Sequence, residues 1–481
     1  MLAILASTLG APSTVAQPPS PDARKPAATK DAGVKPKADA KPADPEPENQ
    51  GSKGEVFLDP NAKRTLAIFS PLTYVGPAIK IGNPPDDRSK IQNMAAKTEN
   101  EDPALLKRYV DFFAAELSSR NNLNALLNPG PNPNPNAPAA RGLERAVDAL
   151  TKPIVDGRAL GNAPFLANYS RILFESSLPK LLENNYFTRI DAMIVLGMAG
   201  SAAPAALDLY IAQLKKPDQV IWVKMWAAHG LSYAAQQGKV NLDASKSLQA
   251  AEALIGWLDS DRKLPWPAQM RALEALGSLR FSTNAPRGKI DAASVALRFV
   301  ADPTAKLEVR AWAAWALGMM RIPTGLTPVN FTLLVHEIGE LAVEIGDKVV
   351  EDYDTNAANF DKEKDDAAQL TGLLLFQAIP GLSGEDGVSE SGLLRSPHPS
   401  LAAAKPFLIK LDEKVKAVSL EAYELLRAGG NNQKAKRDDL DAKLADLKSY
   451  LGQVPAKDRK LLPGGPEIPA IAPQVAGAPG R

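Results

Sequence analysis

The chain has 481 residues, of which 45% are hydrophobic, so it holds enough apolar material for a large core or for an elongated array of smaller units. Its formal net charge of +1 argues against a general nucleic-acid-binding protein, because such proteins carry a basic field. Cysteine is absent, which excludes disulfides, thiol nucleophiles and thiolate metal sites.

The first residues predict an exported protein. An apolar run from Leu2 to Leu9 is followed by small residues up to Ala16, as in a secretory signal peptide, although no basic residue precedes the run. We therefore predict a signal peptide over residues 1–16 and a periplasmic or secreted protein. The alternative is a cytoplasmic protein, if the apolar run is not a signal peptide. No stretch is long and apolar enough to predict an integral membrane span.

Residues 17–55 predict a disordered linker. They are rich in Pro, Ala, Lys, Asp and Glu, and this composition cannot bury enough apolar surface to offset the entropy of ordering. Residues 56–185 then predict an irregular N-terminal region whose helices cap the regular units that follow. Its predicted elements are one or two extended pieces within Thr65 to Ile81, a helix from Pro103, a loop over Asn128 to Asn136, and helices over Arg141 to Leu150 and Tyr169 to Asn184.

A short helical signature recurs four times within residues 186–322. Each copy has a long polar side chain, then Ala three residues later, then Ala, Gly or Val three later, followed at once by Leu and by Gly or Ser. Small residues three and four positions apart share one helix face and allow a neighbouring helix to approach closely. The copies are Arg189, Ala192, Val195, Leu196, Gly197; Lys224, Ala227, Gly230, Leu231, Ser232; Gln269, Ala272, Ala275, Leu276, Gly277; and Arg310, Ala313, Ala316, Leu317, Gly318.

The spacing of the copies predicts stacked helix pairs. The signature leucines lie roughly 35 to 45 residues apart, which is too long for one helix and typical of a two-helix unit. Three intervening segments have apolar residues at helical spacing and predict the partner helices: Ala203 to Leu214, Ser245 to Leu258 and Ile290 to Val300.

The signature resembles the second helix of the HEAT-repeat family of α-solenoids, in which a basic residue is often followed by spaced Ala, Leu and Gly. The resemblance covers about a third of the chain, and Gln269 replaces the basic residue in the third copy. It implies an all-α fold: a HEAT-like right-handed helical-repeat solenoid with an irregular N-terminal capping segment and a C-terminal helical hairpin.

Helical spacing continues after the repeat period is lost at Arg321. Residues 323–380 predict further helices over Val329 to Val350 and Lys362 to Ile379. The Gly- and Ser-rich residues 381–399 predict a loop.

Residues 400–454 predict a helical hairpin. Apolar residues recur at spacings of three and four on both sides of Gly429 to Asn432, which favours two antiparallel helices. We expect this hairpin to cover the open end of the solenoid; the alternative is a surface for self-association or partner binding. Residues 455–481 are rich in Pro, Gly and Ala and predict a disordered tail.

The sharpest catalytic candidate is His336-Glu337-Ile338-Gly339-Glu340. It matches the first part of the His-Glu-x-x-His zinc-protease motif, but the second histidine is missing and only His229 and His398 remain elsewhere. We therefore predict no catalytic residue, no metal site and no cofactor. An envelope hydrolase or lyase with a site near His336 is kept as the alternative function.

The candidate binding surface lies on the second helices of the repeats. Positions five before, two before and two after each signature Leu share one face, distinct from the Ala face. In solenoids of the resembled family the second helices line the concave side, so this face predicts a platform for a peptide or glycan; the alternative is that its aromatic residues pack inside. The face holds Trp226, His229 and Tyr233; Arg271, Glu274 and Ser278; and Trp312, Trp315 and Met319.

Together these features predict a non-catalytic, exported helical-repeat scaffold that mediates protein–protein interaction in a bacterial envelope. The composition and the tail are typical of a bacterial sequence. The expected partner is a protein of unknown identity, and no nucleic acid is expected.

Overall fold

The computed structural model describes residues 87–119, 122–123, 141–237, 244–260, 264–282, 291–326, 328–356, 366–385, 388–428, 432–455, 458–462 and 465–469. The chain divides into two units, Met1–Val56 and Phe57–Arg481, and every described residue belongs to the second. The predicted signal peptide, linker and extended pieces lie outside the described residues, as do the predicted Asn128 to Asn136 loop and the last twelve residues of the predicted tail.

The described residues form an all-helical fold, as predicted. They contain α-helices and one short 3-10 helix, with isolated β-bridges at Phe281–Arg321 and Lys460–Glu467. None of these helices is both long and apolar enough to cross a membrane. In chain order the helices are α1 (Arg88–Ala95), α2 (Pro103–Leu117), α3 (Gly142–Ala159), α4 (Ala163–Glu175), α5 (Leu178–Leu181), α6 (Tyr186–Ala199), α7 (Pro204–Lys215), α8 (Ile221–Gln237), α9 (Ala244–Ser260), α10 (Trp266–Ser278), α11 (Ala292–Ala301), α12 (Leu307–Met319), α13 (Phe331–Asn356), α14 (Asp366–Ser383), η1 (Leu393–Arg395), α15 (Leu401–Arg427) and α16 (Asn432–Leu451).

Side-chain caps set the beginning of several helices. Asp102 accepts hydrogen bonds from two backbone N–H groups in the first turn of α2, directly before a proline that suits that position. Asn162, Asn185 and Asp291 cap α4, α6 and α11 in the same way. Helix α6 ends at Gly200, whose φ of 55° lies in the left-handed region that glycine adopts without strain.

Five alternate helices pack side by side in one row. Helices α6, α8, α10, α12 and α14 each contact the next, and the four signature copies lie on the first four. The helices between them form a second layer: α7 packs on α8, α9 on α10 and α11 on α12, while α9 also contacts α7 and α11. We call α6, α8, α10, α12 and α14 the row.

Glycines of the signature are the points of closest approach within the row. A Cβ at Gly197 would lie 2.4 Å from the carbonyl oxygen of Trp226 on the next helix. A Cβ at Gly277 would lie 2.8 Å from Cα of Ala316, and one at Gly318 would lie 2.0 Å from the carbonyl oxygen of Gly381. Each of these glycines therefore admits the backbone of its neighbour where any side chain would collide.

In three of the four signature copies, the long polar residue that opens the copy donates to a backbone carbonyl. Arg189 donates from Nε to Asn184 O at 2.5 Å, and Gln269 donates from Nε2 to Leu264 O at 2.8 Å. Fully buried Arg310 donates from Nε to Val300 O at 2.9 Å. Gln269 thus makes the same kind of contact as the arginines, which explains why the third copy tolerates the exchange.

The C-terminal helices cover α13. Helices α15 and α16 pack against each other and both contact α13, while α15 also contacts α14. Close approach again uses glycine: a Cβ at Gly339 would lie 2.3 Å from Leu451 Cδ2, and one at Gly346 would lie 2.5 Å from Leu444 Cδ2. Gly339 lies within the His336 motif, so part of that motif is explained by packing.

Two helix ends differ from the predictions because prolines are accommodated inside helices. Helix α3 continues through Pro153 to Ala159, nine residues beyond the predicted end. Helix α14 continues through Pro380 to Ser383, because Gly381 packs against the carbonyl oxygen of Ala314 on α12. A proline lacks the N–H that would bond within the helix, but burial between helices outweighs that loss here.

Candidate interaction surface

Several positions of the face predicted for binding are partly exposed. We call the positions five before, two before and two after each signature Leu the row face. On α8 these positions are Trp226, His229 and Tyr233, and all three are partly exposed between fully buried neighbours. On α10 the first two positions, Arg271 and Glu274, are partly exposed as well.

The α8 residues form an aromatic group with a cation at one end. The ring of His229 lies 5.3 Å from that of Trp226 and 5.8 Å from that of Tyr233, measured between centroids. Arg158 of α3 stacks on Tyr233, with Cζ 3.6 Å from the ring centroid, and donates from Nη2 to Met198 O. This stacking is a cation–π contact that fixes the Tyr233 ring.

His229 is neutral at physiological pH. Burial lowers its pKa from 6.5 to about 4, the positive charges of Arg271 and Arg158 act in the same direction, and Glu274 opposes them. Its Nδ1 is buried and has no hydrogen-bond partner among the described residues. An imidazole in this state contributes a polar edge to the surface and no charge.

Polar contacts join α8 to α10 beneath the row face. Arg271 Nη1 pairs with Glu274 Oε2 at 2.6 Å, and both side chains are mostly buried. The hydroxyl oxygens of Ser232 and Ser278 lie 2.8 Å apart, and Gln236 donates from Nε2 to Ser278 Oγ at 3.1 Å. Ser278 therefore links helices, whereas Arg271 and Glu274 present a neutralised pair at the surface.

Trp315 and Met319 on α12 are core residues, which corrects the predicted surface. They are 4% and 5% exposed, and Trp315 Nε1 donates to Glu385 Oε1 at 2.8 Å. The cause is the segment that follows α14, since Gly392 N donates to Gly318 O at 2.7 Å and brings this segment onto the end of α12. Trp312 stays partly exposed, with its ring 5.2 Å from that of Trp315.

The first repeat adds three residues to the row face that the sequence reasoning missed. The same positions on α6 are Asp191, Ile194 and Met198, of which Met198 is partly exposed. Asp191 is 6% exposed, and burial raises the pKa of its carboxyl from 3.8 to about 7. The same count from Leu196 finds all three.

His336 belongs to an ion-pair group that anchors the chain after α16. Its Nδ1 lies 3.2 Å from Glu337 Oε1, and this hydrogen bond is the main cause that raises the pKa of His336. Fully buried Glu337 also pairs with Arg459, which in turn donates from Nε to Ile468 O at 3.1 Å. The acidic residue of the zinc-protease-like motif therefore holds a peptide segment against α13.

The other two histidines do not join His336 in a metal site. His398 donates from Nε2 to Leu326 O at 2.6 Å and accepts at Nδ1 from Ser400 N at 3.1 Å, so neither ring nitrogen is free. His229 lies on the row face, beside Trp226 and Tyr233. Within the described ranges, no group of three or more His, Asp or Glu side chains is arranged to hold a metal ion.

The chain matches no protein-family model, no curated protein and no solved structure at the threshold of significance. The arrangement of its own residues is therefore the basis for assigning a function.

Proposed function

We propose that this chain is a HEAT-like, right-handed helical-repeat solenoid that acts as a non-catalytic scaffold and binds a segment of a protein partner on its row face. Two features support the solenoid: the signature copies lie on successive helices of one row, and α8, α10 and α12 each pack on a helix of the second layer. Stacked repeats of this kind contact only their neighbours and leave one long surface formed by equivalent helices.

The observation that carries the binding role is the set of partly exposed aromatic side chains on the row face. Trp226, Tyr233 and Trp312 lie on packed helices at row-face positions, and each residue is partly exposed. Large aromatic residues fixed on a rigid surface are the usual anchors of protein interfaces, because they bury much area at little entropic cost. The Arg271–Glu274 pair between them adds hydrogen-bonding groups that fix the orientation of a bound segment.

We further propose that the protein works outside the cytoplasm, in a bacterial envelope. The leader-like residues 1–16 support export, and the Pro- and Lys-rich residues 17–55 would give the helical unit reach. N-terminal sequencing of the protein from a periplasmic fraction tests this, since a mature chain that still begins at Met1 contradicts it.

The binding role is tested by affinity capture from an envelope extract, with the full chain as bait. The matched baits are the Trp226→Ala/Trp312→Ala double variant and Tyr423→Ala, which removes an exposed aromatic ring from α15 instead. Trp315 is left intact because it is buried and its loss would disturb the core. Circular dichroism establishes that each bait is folded.

We expect one partner to bind the unchanged chain and Tyr423→Ala, and to be lost with the double variant. Loss of an anchor ring costs about 1 kcal/mol or more in binding free energy. Equal capture by all three folded baits rejects the row face as the binding surface.

A further inference from the structure

Asp191 is a buried carboxylate without a partner. It is 6% exposed, and no described residue donates a hydrogen bond to it or forms an ion pair with it. Its oxygens nevertheless keep contact with solvent, since they are not among the fully enclosed unpaired atoms. Such a carboxylate destabilises the folded state, because burial removes water from it and supplies no hydrogen-bond donor in its place.

Two arginines, on α3 and α6, are engaged elsewhere. Arg158 of α3 binds Met198 O and stacks on Tyr233, and Arg189 on the same helix as Asp191 donates to Asn184 O. Lys224 of α8 is buried, and Asp218 is the acidic residue that acts on its pKa. Burial is the one cause that shifts the pKa of Asp191, and no described cation offsets it.

The position of Asp191 makes its carboxylate part of the row face. It occupies on α6 the position that Trp226 occupies on α8, and these two helices are direct neighbours in the row. Along its own helix face lie partly exposed Phe187 and Met198, with Ile194 between them. A single acid therefore lies in apolar and aromatic surroundings, which suits the methylene stem of a long basic side chain.

We propose that Asp191 binds the cationic head group of a lysine or arginine in the partner segment, an assignment that rests on the proposed function of the row face. The head group supplies both a positive charge and several N–H donors, which are the two things the buried carboxylate lacks. An acidic or apolar residue at this point of the segment is rejected, since it leaves the carboxylate unpaired or repelled.

The test selects from a phage-displayed library of random 12-residue peptides on the immobilised full chain. The same selection is run on Asp191→Asn, which keeps the shape of the side chain and removes its charge, and on Glu252→Gln, which neutralises an exposed acid on α9. Selected peptides are then made with the basic residue replaced by citrulline or norleucine, and their affinities are measured by isothermal titration calorimetry.

We expect one position enriched in lysine or arginine on the unchanged chain and on Glu252→Gln, and no such enrichment on Asp191→Asn. Neutralising either the peptide residue or Asp191 should weaken binding by about tenfold or more, and the second change should add little to the first. Binding of the basic peptide should also lower the pKa of the Asp191 carboxyl, followed by carbon-13 NMR.

The outcomes separate this inference from the function on which it rests. Peptides that bind through Trp226 and Trp312, but without a basic position and equally well to Asp191→Asn, overturn the role of Asp191 and keep the binding surface. Failure to select any peptide that depends on the row face overturns both. An Asp191 carboxyl that titrates near 4 in the free protein also overturns the inference, because it would mean that the group is well solvated.

Discussion

Replacing Asp191 by asparagine should stabilise the protein, and the gain in unfolding free energy over the unchanged chain should be larger at alkaline pH than at acidic pH. Burial raises the pKa of this carboxyl from 3.8 to about 7. Each pKa unit corresponds to about 1.4 kcal/mol, so the full difference amounts to about 4 kcal/mol. Because local relaxation reduces such costs, we expect a measured effect of about 2 to 4 kcal/mol.

The pH window follows from the two pKa values of Asp191. Below about pH 4 the carboxyl is protonated in both the folded and the unfolded chain, so the burial cost is absent. As the pH rises, the unfolded chain releases this proton first and is favoured by doing so. Above about pH 7 both states are ionised and the folded protein carries the whole cost. Asparagine carries no charge at any pH and therefore removes this dependence.

The assay is urea denaturation of the unchanged chain and of Asp191→Asn at pH 4 and pH 8, followed by circular dichroism. At each pH, the unfolding free energy of the unchanged chain is subtracted from that of Asp191→Asn. The two resulting differences are then compared, because any effect of the new amide that does not depend on pH cancels. Glu252→Gln serves as the control, since its exposed carboxyl should give no such change. A stability difference that is the same at both pH values refutes the assignment of Asp191 as a buried, unpaired carboxylate.

Four further substitutions test the packing and the ion pairs. Gly318→Ala should lower the unfolding temperature, since its Cβ would lie 2.0 Å from a backbone oxygen. Gly256→Ala, where the new Cβ has open space, should raise stability by about 0.5 to 1 kcal/mol. Equal effects of the two substitutions in thermal melts contradict the close approach at Gly318. Arg310→Met should destabilise by about 1 to 3 kcal/mol in urea denaturation, because it leaves the carbonyl oxygen of Val300 without its buried donor. An unchanged stability contradicts this role. Glu337→Gln should lower the pKa of His336, measured by NMR. It should also speed proteolysis of residues 458–469, because it removes the ion pair with Arg459. An unchanged pKa of His336 would show that Glu337 does not stabilise the imidazolium.

The repeat signature predicted the helices of the row because its small residues and leucine report on local helix packing. Gln269 shows the limit of such reasoning, since only the structure reveals that its amide reaches the same kind of carbonyl as an arginine does. The close contact between Gly318 and Gly381 joins residues far apart in the chain and has no local pattern. The segment that covers Trp315 is brought there by the same long-range packing, so the burial of that tryptophan was not predictable from helical periodicity.

The sequence predicts which residues share the row face, but it does not predict which of them are buried or lack a partner. Trp226 and Trp312 follow directly from counting along each signature copy. Asp191 obeys the same count, yet a lone aspartate in a sequence gives no sign that it is buried and unpaired. That property depends on where the neighbouring cations point, which is set by packing between helices.

Binding of a protein partner on the row face can be tested directly by site-specific photocrosslinking in the native envelope. Benzoylphenylalanine is placed at Met198, which is partly exposed on the row face, or at Glu252, which is exposed on the second-layer helix α9. Met198 is partly exposed and Glu252 is exposed, and circular dichroism establishes that both variants fold. We expect Met198 to crosslink to one partner and Glu252 not to do so. A partner that crosslinks from Glu252 and not from Met198 would contradict it.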